Sequence, residues 1–272
     1  MNAPIPTLYF EDSGDGARPA LLLVHGLLSS RNHWLPNIER LGRAFRLIRI
    51  DLPAHGRSPG ASAPALHPDN IAGALDALRE QLGIDRWYIC GQSLGAGITL
   101  RYALARPDRI IAQAFTNANA ALKPQLAGSA RAALRDRVDG IRRGGAEALR
   151  REVVHPRHAR RFPDDVREAL CADADALDPA GVADMLEHTL PYLGLADRLA
   201  EIAVPTLLVN GTYERKFQPL RAMAASVIPR LRVADVAGGH SINVENAAGF
   251  DQAILELPAL AAGRQSSRKG NP

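Results

Sequence analysis

Two cysteines, Cys90 and Cys171, are all that the 272 residues contain. They stand far apart with no C-x-x-C spacing, so neither a disulfide framework nor a thiolate metal site can be read, and both are expected to be reduced. The first residues, Met1-Asn2-Ala3-Pro4-Ile5-Pro6, carry no basic region followed by an apolar one. No later apolar run is long enough to span a bilayer, which leads to the expectation of a cytoplasmic chain without a membrane partner. Nor is there a concentrated basic stripe of the kind that marks nucleic-acid binding. The formal charge of +4 is carried by scattered arginines, with one concentration between Lys123 and Arg161, and reads as an even basic surface. Low complexity is also missing, except for the polar stretch at residues 261–272, which is expected to be frayed.

What remains is the composition of an ordinary globular protein, 46% apolar and 23% charged, and a chain long enough to bury a large α/β core. The run Leu21-Leu22-Leu23-Val24, stopped by His25-Gly26, reads as a strand buried on both faces. A helical stretch from about Arg31 to Leu41 follows, then a strand from Phe45 to Ile50 ending in the turn-rich Asp51-Leu52-Pro53-Ala54-His55-Gly56-Arg57-Ser58. Asp69 is a plausible N-cap for a helix marked by Ile71, Leu75, Leu78 and Leu82. Alternation continues through a strand at Trp87 to Cys90, a helix from Leu94 to about Arg106, and a strand from Ile110 to Phe115. From about Ala120 to Ala200 the rhythm fails: helical pieces broken by prolines, with no convincing strand. It resumes with strands at Thr206 to Asn210 and Leu231 to Val236 and helices from about Gln218 to Val227 and Asn246 to Leu257. Repeated βα units imply right-handed crossovers and a mostly parallel sheet. In such sheets the chemistry sits beyond the carboxyl ends of the strands.

Three residues stand at such ends in a meaningful order. Ser93, in Gly91-Gln92-Ser93-Leu94-Gly95, lies between a strand and a helix; a sharp turn there lifts the hydroxyl clear of the sheet, and the flanking glycines avoid collision with neighbouring backbone. A serine needs a base near neutral pH. His240, in Ala237-Gly238-Gly239-His240-Ser241-Ile242, follows the last strand, whereas His155, His158 and His188 fall in the strandless stretch and His33 and His67 in or before helices. The base needs an acceptor in turn. Glu214 is the only carboxylate in the loop after Asn210; its competing reading is an exposed pair with Arg215 or Arg221. Asn117 and Asn119, at the alternative location for an acid, carry no charge. Backbone amides of Leu27 and Leu94 are the expected oxyanion donors. His25 and His55 read as residues that shape loops. Leu28, Trp34, Phe162 and Tyr192 are expected to line the substrate pocket.

With Ser93, His25-Gly26, Asp51 to Ser58 and Gly239-His240 in this order, the chain resembles the α/β-hydrolase superfamily from about Leu8 to Leu257. The resemblance implies an eight-stranded, mostly parallel sheet, with a core of residues 1–119 and 201–260 and a helical cap, residues 120–200, inserted after the sixth strand. Gly211 to Phe217 and Gly239 to Phe250 look like segments of the menaquinone-pathway synthase that eliminates pyruvate to form succinyl-hydroxycyclohexadiene carboxylate. That family's pattern has an arginine after the nucleophile, in S-L-G-G-R, where this chain has Gly97, and usually aspartate where this chain has Glu214. The leading expectation is a serine hydrolase cleaving a carboxylic ester, thioester or lactone of a small molecule through an acyl-enzyme, with no metal or organic cofactor. Carbon–carbon bond cleavage or lyase chemistry by the same residues, and a ligand-sensing receptor on the same fold, are the alternatives. The sequence carries no signal of oligomeric state.

Overall fold

The run Ala20–Val24 (β2) is buried at every position because parallel strands flank it on both sides: Arg46–Ile50 (β3), paired Leu22 to Ile48, and Trp87–Gly91 (β4), paired Leu22 to Ile89. The computed structural model describes residues 4–14 and 16–263. Among these, one sheet of seven strands runs β1-β3-β2-β4-β5-β6-β7, where β1 is Phe10–Asp12, β5 Ile110–Thr116, β6 Thr206–Gly211 and β7 Leu231–Val236. All neighbours are parallel except β1, which pairs antiparallel with β3.

The expected eight-stranded sheet is therefore corrected to a mixed one of seven strands. Ahead of β1, Pro4 and Pro6 have no backbone N–H to give a ladder. Phe10–Asp12 itself carries no alternating apolar pattern, and sequence reasoning passed over it.

The helices are Ile38–Gly42 (α1), Pro68–Gln81 (α2), Leu94–Ala105 (α3), Gly128–Arg151 (α4, kinked at Gly145), Asp164–Asp175 (α5), Pro179–Thr189 (α6), Gln218–Val227 (α7), Ile242–Glu245 (α8), Ala247–Ile254 (α9) and Leu257–Ala261 (α10). Helix α2 starts earlier than Asp69: Pro68 takes its first position and His67 caps it, accepting from the Asp69 amide. The stretch expected as one helix from Arg31 is instead a 3-10 helix, Arg31–Asn37, containing Pro36, followed by α1.

Strand side chains alternate between two apolar layers. Leu22, Val24, Ile48 and Ile89 pack with residues of α2, α3 and α7; Leu21, Leu23, Leu47 and Cys90 pack with Trp34, Phe45 and Phe250 on the other face. Between β5 and β6 the chain is helical, as the failed alternation predicts, and this insertion follows the fifth strand of the sheet. It has a small core of its own in which Leu134, Val138, Ile141, Val182 and Leu186 surround Leu28 of the loop after β2. A second tie is polar: Asp173 of α5 accepts from Ser30 Oγ at 2.5 Å and from Asn32 Nδ2 at 2.9 Å. Neither cysteine is bridged, and Cys90 is fully buried. No helix among the described residues is long and apolar enough to cross a membrane. Of the stretch expected to fray, 264–272 lies outside the described residues.

Candidate active site

The turn from β4 into α3 is strained, as are Leu28 and Ala54 in the loops after β2 and β3, all at positive φ. Ser93 sits at φ 53°, ψ −110°, a region that residues with a side chain rarely occupy and that surrounding packing must enforce. The enforcement is visible at both glycines. A Cβ on Gly91 would lie 2.4 Å from Thr99 Oγ1 and 2.5 Å from the carbonyl oxygen of Gly95, and one on Gly95 would lie 2.4 Å from the carbonyl oxygens of Val24 and His25. Helix α3 therefore enters close against β2, and its first amide, that of Leu94, follows directly on Ser93.

The loops after β6 and β7 bring Glu214 to His240. Nδ1 of His240 lies 3.1 Å from Oε1 and 3.0 Å from Oε2 of Glu214. An ionised carboxylate only accepts, so the proton is on Nδ1 and Nε2 is left as the acceptor. Asn117 Nδ2 donates to Oε2 at 2.5 Å and Asn119 Nδ2 to Oε1 at 2.6 Å. Burial of Glu214 works to raise its pKa. Hydrogen bonding and charge from His240, with the two asparagine amides, outweigh it and hold the carboxyl below its ordinary range. The competing partner is taken elsewhere, since Arg221 pairs with Asp235 at 2.6 Å.

The loop that carries His240 is anchored from below. Glu245 accepts from the Gly239 amide at 2.8 Å. In α8, Asn243 Nδ2 donates to the His33 carbonyl at 2.9 Å, and the Asn243 carbonyl accepts from Asn37 Nδ2 at 3.0 Å. Asn37 Nδ2 also donates to Asp251 in α9 at 2.9 Å. Asn37, Asn243 and Asp251 are all buried. This chain of amides joins the 3-10 helix after the Leu27 loop to the helix after His240. Burial raises the Asp251 carboxyl to about 7, against the hydrogen bond from Asn37, which lowers it.

His25 and His55 shape the loops. Each accepts through Nε2 from a backbone amide, of Leu52 at 2.9 Å and of Leu28 at 3.2 Å, and each Nδ1 faces a carbonyl, of Gly26 and of Pro53. Burial keeps both neutral. His55 thereby occupies the Leu28 amide, one residue past Leu27.

Ser93, Glu214 and His240 face one cavity of about 740 Å³, which Leu27, Leu28 and Phe162 also line. Trp34 and Tyr192 do not line it. Trp34 turns into the core, its ring 5.9 Å from that of Phe250, because it is His33, one residue earlier in the tight helix, that faces the cavity. Tyr192 packs on His67 at 4.9 Å, and its hydroxyl accepts from Arg131 at 2.9 Å. Five residues of the wall, Arg137, Val153, Val154, Arg160 and Arg161, come from the insertion and are not among the pocket residues expected from the sequence, although the three arginines belong to the concentration between Lys123 and Arg161. Asn117 and Asn119 enter the sequence reading only as occupants of an alternative location for the acid, passed over because they carry no charge. Their signal was position, two amides spaced by two residues at the end of a buried strand.

The alpha/beta hydrolase fold family matches residues 19–247. The chain belongs to that family. This α/β-hydrolase is 33% identical over 249 residues, 87% of its own length and 92% of the relative's, to a 2-succinyl-6-hydroxy-2,4-cyclohexadiene-1-carboxylate synthase of Serratia proteamaculans, in keeping with the resemblance read from the two loop segments. Among solved structures, an enol-lactonase from Burkholderia xenovorans superposes with a TM-score of 0.80 at 23% identity, covering 93% of this chain and 96% of that one. A thermophilic esterase from Thermogutta terrifontis superposes with a TM-score of 0.74 at 26% identity, covering 93% of each. The chain is thus an enzyme of the kind that acts on ester-like bonds.

Proposed function

We propose that this α/β-hydrolase cleaves a carboxylic ester of a small molecule, thioesters and lactones included, through an acyl-enzyme on Ser93. Ser93 Oγ attacks the carbonyl carbon while His240 Nε2 takes its proton, and the Leu27 and Leu94 amides hold the tetrahedral oxyanion. Collapse breaks the bond to the alcohol, which leaves with the proton from His240. Water, deprotonated by the same nitrogen, then attacks the acyl carbon and frees Ser93. Glu214 fixes the tautomer and stabilises the imidazolium. Residues 120–200 act as a cap whose side chains close the cavity over Ser93.

The observation that carries this reading is the Glu214–His240 pair facing the same cavity as a serine held on a strained elbow. The relatives' names, a lactonase and an esterase, agree with it. The synthase relative favours lyase chemistry as a second reading, but position 97 speaks against the same substrate. A Cβ there would lie 2.5 Å from Leu193 Cγ, and Leu193 is fully buried. The arginine of the S-L-G-G-R pattern has no room.

A screen of p-nitrophenyl esters of graded acyl length with wild type and Ser93→Ala tests the proposal. Hydrolysis by wild type well above the variant's background is expected. Wild-type rates no higher than those of Ser93→Ala across the series would refute ester hydrolysis.

A further inference from the structure

The cavity wall contributed by the insertion holds more positive charge than its carboxylates offset. Glu214 is committed to His240 and the two asparagines. Arg137 is matched by Glu152, which takes two of its N–H groups at 2.9 and 2.6 Å. Glu245 accepts from the Gly239 and Ser241 amides and meets Arg161 only at 3.6 Å. Arg160, exposed at the same wall, makes no side-chain hydrogen bond or ion pair among the described residues. Arg161 is also where it matters: its Nη1 lies 3.2 Å from the point a Cβ on Gly239 would occupy, one residue from the base. Its guanidinium rests over the Tyr213 ring at 5.3 Å. The same cavity is lined by apolar side chains, Val153, Val154, Phe162 and Leu27, and by polar ones, among them His33, Asn119 and His158.

We infer that Arg160 and Arg161 form a binding site for a carboxylate carried by the substrate, apart from the bond cleaved at Ser93. The arrangement names the substrate class of the proposed esterase: an ester, thioester or lactone with a free carboxylate. Roughly one cation is left unmatched, which suits a monoanion better than a phosphate dianion, and guanidinium groups present paired N–H donors to a planar carboxylate.

Two measurements test the site, one that depends on the esterase reading and one that does not. The first compares kcat/KM for p-nitrophenyl hydrogen succinate, glutarate and adipate with the neutral ester of equal length in each case. Wild type is expected to favour the best acid by about ten-fold or more, mainly through KM. In Arg160→Gln/Arg161→Gln the preference should fall to within about two-fold of unity, whereas Arg143→Gln, a solvated arginine of α4 outside the cavity, should keep it. A preference absent in wild type, or surviving in the double variant, overturns the inference. The second measures binding of monomethyl glutarate to Ser93→Ala by calorimetry, with inorganic phosphate as competitor. Binding that weakens about ten-fold in the added double variant supports the site, even if no ester is hydrolysed and the esterase reading fails. Stronger binding of phosphate, or indifference to the arginine changes, refutes it.

Discussion

Asp251 is a buried carboxyl whose only described hydrogen-bond donor is a neutral amide, and Asp251→Asn tests whether it is a stability cost that the fold carries near neutral pH. Its carboxyl is raised by burial from an ordinary 3.8 to about 7. Well below pH 3.8 the group is protonated in both folded and unfolded chains and contributes no pH dependence. Between about pH 4 and 7 the unfolded chain releases the proton while the native state keeps it, so stability falls as pH rises, by up to about 1.4 kcal/mol per pH unit. Integrated over the interval, the cost reaches roughly 4 kcal/mol above pH 7. Asparagine has nearly the same shape, keeps an oxygen to accept from Asn37 Nδ2, and cannot ionise. Urea unfolding of wild type and variant at matched pH values from about 4.5 to 8.5 isolates the term, because every other titrating group cancels in the difference. The variant is expected to gain on wild type steadily as pH rises and to hold a constant lead above pH 8. A difference that does not change with pH, or one that shrinks as pH rises, would show that Asp251 is not held neutral by its surroundings.

Removing the charge of Glu214 with Glu214→Gln should lower kcat by about 10²- to 10⁴-fold on the best ester, with the urea midpoint nearly unchanged; an unchanged kcat would move the acid's role elsewhere. Asn117→Ala and Asn119→Ala each remove an amide that keeps Glu214 ionised, so its pKa should climb. Since the carboxylate is the working form, the loss of turnover should be greater at pH 5 than at pH 8, and a loss independent of pH would mean that the asparagines only fill space. Gly97→Arg drives a long charged chain into Leu193 and should cost about 3 kcal/mol or more, read as a lower melting temperature; a stable, fully active variant would show that Leu193 gives way.

Strand starts were legible where a run followed a turn: β4, β5, β6 and β7 begin at the residues read from the sequence, the first three as central strands buried at nearly every position, whereas β7 lies at the sheet edge and is only half-buried. Strand β1 was not, since its three residues are held by pairing with Ile48 to Ile50 and not by any pattern of their own. The same division holds at the site. Ser93, Glu214 and His240 each follow a strand end, and topology alone brings strand ends together. The pocket residues do not obey such a rule. Leu28 and Phe162 reach the cavity, but Trp34 and Tyr192 were placed by chemical type, and a one-residue rotation in a 3-10 helix sent His33 to the cavity and Trp34 to the core.

On sequence alone Glu214 competes with an exposed pair to Arg215 or Arg221 and stands where aspartate is usual; its extra methylene also adds a rotatable bond, and a positioning group must be fixed to be effective. The structure supplies the restraint from a neighbouring strand. Parallel pairing of Thr116 with Val209 sets Asn117 level with the end of β6, and there its Oδ1 accepts from the Gly211 amide at 3.0 Å. With one end of that amide tied to β6, the other meets the carboxylate at 2.5 Å, closer than the Gly239 and Gly211 carbonyls at 3.4 and 3.5 Å. Asn119, two residues on, takes the second carboxylate oxygen, and His240 Nδ1 closes on both. The conformational freedom added by the longer side chain is removed by two donors at fixed positions. The asparagines that looked uninformative because they lack charge are the reason a glutamate can stand there.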